Sequence, residues 1–185
     1  MTIKVFGIGS AGIAALRHVA HEKPADCQLV AIDTNFQVLI SPDADDYVWI
    51  GSREQGTGGN PTHGQDAAKS SIQHLRSALE AVNCLYLMSV FGGGTGTGAS
   101  QVVAALAKSL KIPVVAVIAL PYSFEGQQRL LIAQEGTRRL RPMVEDMVVI
   151  QSDQWLRLMP PKKLNLKNAF ALQARVLAWN TLACF

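Results

Sequence analysis

Short apolar runs alternate along this chain with longer stretches whose apolar side chains recur every third or fourth position. The runs at 3–8, 28–33, 84–90, 113–120 and 147–151 predict strands. They are apolar nearly throughout rather than at alternate positions, the pattern of strands covered on both faces. The intervening segments 11–22, 65–81, 99–110, 127–140 and 166–182 predict helices. In the second of these Ala68, Ile72, Leu75 and Leu79 share one face at helical spacing. Residues 34–64 predict mostly loop, with a short apolar piece at 47–50. Regular alternation of strand and helix predicts an α/β fold with a parallel sheet between helical layers. In such sheets ligands bind beyond the carboxyl ends of the strands.

That edge is where the chain places its glycines. Gly92-Gly93-Gly94-Thr95-Gly96-Thr97-Gly98 follows a predicted strand and precedes a helix. Glycine permits positive φ and close backbone approach to a ligand. The first amides of a helix lack intrahelical partners and carry the positive end of its dipole. Together these make an anion cradle, and the two threonine hydroxyls add donors for phosphate oxygens. A second loop, Gly7-Ile8-Gly9-Ser10-Ala11-Gly12, follows the first strand, and a third cluster, Gly56-Thr57-Gly58-Gly59-Asn60-Pro61, precedes a helix that Asn60 or Thr62 can cap. Beside the other loops the third cluster is a candidate γ-phosphate sensor.

Composition narrows the chemistry. The chain has 185 residues, 49% of them hydrophobic and 17% charged, enough for one domain with a full core. A net charge of +3 and the absence of a basic stripe with interleaved aromatics argue against a nucleic-acid partner. The densest basic run, Arg138-Arg139-Leu140-Arg141, reads as a solvated helix end. Cys27, Cys84 and Cys184 have neither metal-ligand spacing nor the even count of a disulfide framework, so a reducing cytosol is expected, and no metal site. No signal peptide is read at the start, and no apolar run reaches membrane-spanning length.

The loop at 7–12, after the first strand, also fits G-x-G-x-x-G, and Asp33 ends the second strand at the spacing of a ribose-binding acid. An NAD-type dinucleotide protein using Gly7, Gly9, Gly12 and Asp33 is therefore a rival reading. It accounts for the first 33 residues and nothing beyond. It does not explain a second, longer glycine loop, and the four histidines (His18, His21, His63, His74) form no catalytic pattern.

The GGGTGTG run at 92–98, with Pro121-Tyr122-Ser123-Phe124-Glu125-Gly126, resembles the signature of the tubulin/FtsZ superfamily. The resemblance extends over nearly the whole sequence, through Ile3-Lys4-Val5-Phe6-Gly7-Ile8-Gly9, Ala31-Ile32-Asp33-Thr34-Asn35, Gly58-Gly59-Asn60-Pro61 and Asn168-Ala169-Phe170. It implies a three-layer α/β/α, Rossmann-like sheet of the GTPase-domain type over 1–165, ending in a central-type helix at 166–185 of the same domain, with no second domain. It implies GTP or GDP as ligand, with Mg2+ a candidate companion. Gly94, Thr95, Gly96 and Thr97 would hold phosphates, and Gly9, Ser10, Ala11 and Gly12 would pass beneath them. Asp33, Gly58, Gly59 and Asn60 would line the same edge. Glu125 would accept from ribose hydroxyls, Arg129 would reach the phosphates, and Phe170 would stack on the base.

Departures fall at the same places. Ser10 and Ala11 stand where the resemblance implies glycines, and Ala14 and Ser152 where it implies asparagines. Ala174 stands where it implies the Asp or Asn that reads guanine, with Arg175 next. Losing such a partner leaves a donor unpaired, at roughly 1–3 kcal/mol. The acidic loop that the family inserts into a neighbour's site lies beyond this sequence. The expectation is a cytoplasmic, bacterial, FtsZ-like nucleotide-binding protein with weak or no intrinsic GTPase and no catalytic residue of its own. Its role would be structural or regulatory in cell division or filament assembly, at the division site. It would self-associate or bind full-length FtsZ through the apolar last helix. The alternative is a GTPase active only in a polymer whose partner supplies the acidic loop.

Overall fold

Six parallel strands form a single sheet in the order β3-β2-β1-β4-β5-β6. The computed structural model describes residues 2–40, 43–51 and 56–185. The strands are β1 (Ile3–Ile8), β2 (Cys27–Asp33), β3 (Asp46–Trp49), β4 (Cys84–Val90), β5 (Val114–Ala119) and β6 (Asp146–Ile150). The order turns back on itself at β1, which pairs with β2 on one side and β4 on the other, with Ile3 opposite both Cys27 and Cys84. This is the switch point of an open parallel sheet, where the loops after β1 and β4 run apart from adjacent strands and leave a crevice.

Side chains alternate across the sheet and feed two cores. On one face Phe6, Ile8, Val30, Leu85 and Leu87 pack against α3 (Pro61–Ser70), α4 (Ile72–Ala78), α5 (Gly94–Ser109) and α6 (Gln127–Leu140). On the other, Val5, Leu29, Tyr86 and Met88 pack against α1 (Gly9–Ala20) and α8 (Leu166–Leu182). Two short helices, α2 (Phe36–Leu39) and α7 (Ser152–Leu156), follow β2 and β6. The three-layer α/β/α expectation is met, and α8 lies on the same body as α1.

One local expectation is refined and two are corrected. The stretch 34–64 is mostly loop as expected, and within it stand three short pieces of regular structure: α2, β3 and the start of α3. Residues 41–42 and 52–55 of that stretch lie outside the described residues. The edge strand escaped the pattern because only Val48 of its four residues is buried. The helix expected at 65–81 is two helices. Ser71 leaves helical geometry (φ −105°, ψ 21°), and its hydroxyl accepts a bond from the Gly51 N–H at 2.9 Å. The helix expected from residue 99 begins at Gly94, inside the glycine run. Glycine is a poor helix former, but here packing decides. A Cβ at Gly64 would stand 2.9 Å from the Gly94 carbonyl carbon, and one at Gly98 would stand 2.8 Å from the Gln65 amide nitrogen. Only glycines let α3 and α5 approach so closely.

Candidate functional site

The carboxyl edge of the sheet brings the first and second glycine loops into contact. Gly9 has φ +78°, and a Cβ on it would sit 3.1 Å from the Gly96 amide nitrogen. A Cβ on Gly96 would sit 2.7 Å from both Ser89 Oγ and the Val90 carbonyl oxygen. The starts of α1 and α5 therefore meet backbone to backbone at the switch point. Neither has a capping side chain, and neither carries an acid in its first turn. By contrast α2, α3 and α8 are capped by Asn35, Asn60 and Asn165. Two uncapped helix starts converging on one crevice concentrate free amides and dipole ends in a place suited to an anion.

Hydroxyls fix the geometry of this rim. Thr97 Oγ1 accepts from the Gly92 N–H at 2.9 Å, which closes the glycine loop on itself, and Gly92 holds φ +104°. The Ser89 hydroxyl donates to the Ile8 carbonyl at 2.9 Å and ties β4 to β1 under the loops. Thr95 Oγ1 lies 3.0 Å from Thr34 Oγ1, with both residues buried. Asp33 accepts from the Asn35 N–H at 2.9 Å and more weakly from the Ser10 and Thr34 hydroxyls at 3.3 and 3.4 Å. Burial raises its carboxyl above the ordinary value, against those donors.

The third cluster joins from the side of α3. Gly58 and Gly59 both have positive φ, +61° and +79°, and lie exposed. They turn the chain so that Asn60 caps α3 by accepting from the Thr62 N–H at 2.9 Å. A Cβ on Gly94 would meet the Thr57 Cβ at 2.6 Å and the Asn60 carbonyl oxygen at 2.7 Å, so this cluster sits against the start of α5.

After β5 a single 3-10 turn, residues 123–125, presents Glu125. Its carboxylate accepts from the Tyr122 N–H at 2.8 Å and from Arg129 Nη1 at 2.7 Å. Phe124, Tyr122 and Phe170 form an aromatic cluster with centroids 5.0–6.1 Å apart, and Phe170 and Phe124 are each nearly half exposed. The Tyr122 hydroxyl donates to the Ala169 carbonyl at 2.6 Å, and burial pushes that phenol up to about 12.

Ala174 is placed differently from a ligand-reading position. It is buried in the core with Ile150 and Leu177. Its neighbour Gln173, which the sequence reading did not single out, donates to the Leu120 carbonyl at 3.1 Å and to Ser152 Oγ at 2.8 Å. The Ser152 hydroxyl in turn donates to Leu120 O. Thr34 and Trp49 were not singled out as site residues, although Thr34 lies in the segment 31–35 and directly follows a strand-terminal acid. Away from the glycine loops, a cleft of about 610 Å³ opens between α1, α7 and α8, lined by Trp155, Leu158, Arg175 and Trp179. It contains no helix start and no convergent amides, so size alone does not make it the site of phosphate chemistry. Among the described residues, no three His, Cys, Asp or Glu side chains gather as metal ligands, and no helix is long and apolar enough to cross a membrane.

The fold and this rim define an open parallel α/β domain with two helix starts, free of side-chain caps, meeting at the switch point of its sheet. Residues 2–160 match the model of the Tubulin/FtsZ family, GTPase domain, and the chain belongs to that family. It is 34% identical over 178 residues to the cell division protein FtsZ of Buchnera aphidicola subsp. Acyrthosiphon pisum, covering 95% of this chain and 46% of that protein. It is 36% identical over 178 residues to FtsZ 1 of Methanocaldococcus jannaschii, covering 95% of this chain and 48% of that protein. The chain thus spans about half the length of these relatives. An FtsZ dimer from M. jannaschii superposes with a TM-score of 0.93 at 34% identity, over 99% of this chain and 54% of that one. CetZ2 from Haloferax volcanii superposes at 0.86 with 20% identity, over 100% of this chain and 58% of that one, a likeness of fold alone.

Proposed function

We propose that this domain binds GTP or GDP, with the polyphosphate seated between the starts of α1 and α5, and that alone it turns nucleotide over weakly or not at all. The observation that carries the binding is the convergence of two uncapped, acid-free helix starts across the Gly9–Gly96 contact. The family's GTPase-domain description supports guanine nucleotide as the ligand. In this reading Glu125 accepts from the ribose hydroxyls and Phe170 stacks on the base, beside the aromatic cluster with Tyr122 and Phe124. Weak turnover follows from how the acids there are used. Asp33 is buried and holds three donors, Glu125 holds Arg129 and the Tyr122 amide, and Asp153 accepts from the Ser123 amide at 3.1 Å. Phosphoryl transfer to water needs a group that orients and activates the water, and these carboxylates are already engaged. Mg2+ accompanying a nucleotide would be held mainly by phosphate and water.

The cellular role that fits is structural or regulatory in bacterial cell division, in the cytoplasm at the division site. It would act by self-association or by binding full-length FtsZ, with the exposed apolar residues Leu166 and Trp179 of α8 as contacts. The dinucleotide reading is not favoured. Gly9 is closed against the second glycine loop, and Asp33 is consumed by Ser10, Thr34 and Asn35 rather than open to a ribose.

Calorimetry with GTP, GDP, ATP and NAD tests the reading. Saturable binding of guanine nucleotides without NAD is expected, and NAD binding without guanine nucleotide sinks it. Phosphate release is expected to stay near background for the domain alone. A rise on adding full-length FtsZ would instead identify a GTPase completed by a partner.

A further inference from the structure

We propose that Thr34 is a positioning residue for phosphate binding. It presets the Thr95 hydroxyl at the anion rim through a hydroxyl-to-hydroxyl bond between the β2 and β4 loops; the proposal rests on the nucleotide reading above. The two Oγ1 atoms are 3.0 Å apart and either can donate. Both residues are buried, 4% and 8% exposed, so water does not substitute for either partner.

Thr34 itself is held at its carbonyl and at its hydroxyl. Its carbonyl accepts from Trp49 Nε1 at 3.0 Å, which anchors the loop to the edge strand β3. Phe36 packs edge-on against Trp49, centroids 5.8 Å apart, and keeps the indole in place. Asp33 Oδ1 accepts from both the Thr34 hydroxyl and the Asn35 amide, so the turn after β2 is tied to its own strand.

A threonine hydroxyl has one proton and two lone pairs. With no anion present, Thr95 can donate to Thr34 while Thr34 donates to the Asp33 carboxylate. When phosphate arrives, Thr95 turns its proton outward and accepts from Thr34. Only two hydroxyl hydrogens rotate and no heavy atom moves. In the second arrangement each bond polarises the next, so Thr95 becomes a stronger donor toward phosphate. Without Thr34, the Thr95 hydroxyl is free to turn onto a carbonyl of its own chain, and its proton no longer waits at the rim.

The test is calorimetry with GTP, GDP and inorganic triphosphate on the wild type, Thr34→Val and Thr34→Ser. Thr34→Val keeps the β-branched shape and removes the hydroxyl. It should weaken all three ligands by about tenfold, the equivalent of one charge-assisted hydrogen bond. Thr34→Ser should restore affinity to within about twofold. Starting from Thr95→Val, adding Thr34→Val should weaken binding no further, because the two hydroxyls act as one unit. Should Thr34→Val not fold, Thr34→Ala against Thr34→Ser reads the same difference. Unchanged affinity in Thr34→Val, an equal loss in Thr34→Ser, or additive losses in the double variant overturns the proposal while leaving the nucleotide reading intact. A wild type that binds none of the three ligands overturns both.

Discussion

Asp33 shows how a side chain's surroundings set its chemistry. Its carboxyl is 3% exposed, and burial outweighs the donors from Asn35, Thr34 and Ser10, so its folded value lies above the unfolded one. A raised acid binds its proton more tightly in the native state. This contribution to stability is fully present below the unfolded value, about 3.9, and is lost as pH rises through the folded value. In Asp33→Asn that loss should vanish. Urea melts between pH 4 and 7 should then show a flatter stability profile than the wild type, and an unchanged profile would contradict the assignment. Gly9 is a second such position. With φ +78° and Gly96 at 3.1 Å, Gly9→Ala combines left-handed strain with a clash against backbone. It should cost roughly 1–3 kcal/mol, seen as a lower melting temperature together with lost GTP binding.

The helices divide by how their ends are finished. α3 and α8 stop their amides with asparagine caps, whereas α1 and α5 leave theirs open to the crevice. The break between α3 and α4 belongs to the same economy of hydrogen bonds. Ser71 leaves the helical path, and its hydroxyl satisfies the Gly51 amide. Ser71→Ala should strand that N–H and lower unfolding free energy by roughly 1–3 kcal/mol, measurable by urea denaturation. The alanine improves local helix propensity, so a gain in stability would show that the break is not held by this bond. β1, β2, β4 and β5 were legible from the sequence because burial on both faces writes a continuous apolar run, and β6 because residues 147–150 are apolar although it lies at an edge with Val149 exposed. β3 was not, since an edge strand with one buried residue has no such pattern. The start of α5 was hidden for another reason: its glycines answer to the backbone of α3, a neighbour distant along the chain.

Across the whole body, α8 is fastened to the carboxyl end of the sheet by two polar attachments. Tyr122 donates to Ala169 O, and Gln173 donates to Leu120 O and Ser152 Oγ. Tyr122→Phe removes the first without changing shape. It should raise hydrogen exchange in the first turns of α8 while β1, β4 and β5 stay protected; uniform loss of protection would argue that α8 and the sheet open as one unit. Beyond this attachment, Leu158 and Trp179 are 74% and 62% exposed and line one cleft. Exposed apolar surface of this kind is suited to association. Trp179→Ser should therefore reduce self-association in sedimentation velocity without lowering the melting temperature.

The candidate site was legible as a set of loops that follow strands. Gly94 to Thr97, Gly9, Asn60 and Glu125 come after parallel strands and so stand toward one edge, while Phe170 joins from α8 through its ring contacts with Tyr122 and Phe124. Local pattern determined the parallel α/β layering, the glycine loops and their place at the carboxyl edge. Those properties depend on backbone freedom and on periodicity within a few residues. Tertiary structure alone decided which hydroxyl faces which, that Thr34 meets Thr95, that Asp33 is buried, and that Gln173 rather than Ala174 carries the polar bonds of α8. Such pairings join segments far apart in the chain. They depend on packing distances of a few tenths of an ångström, which no local pattern encodes.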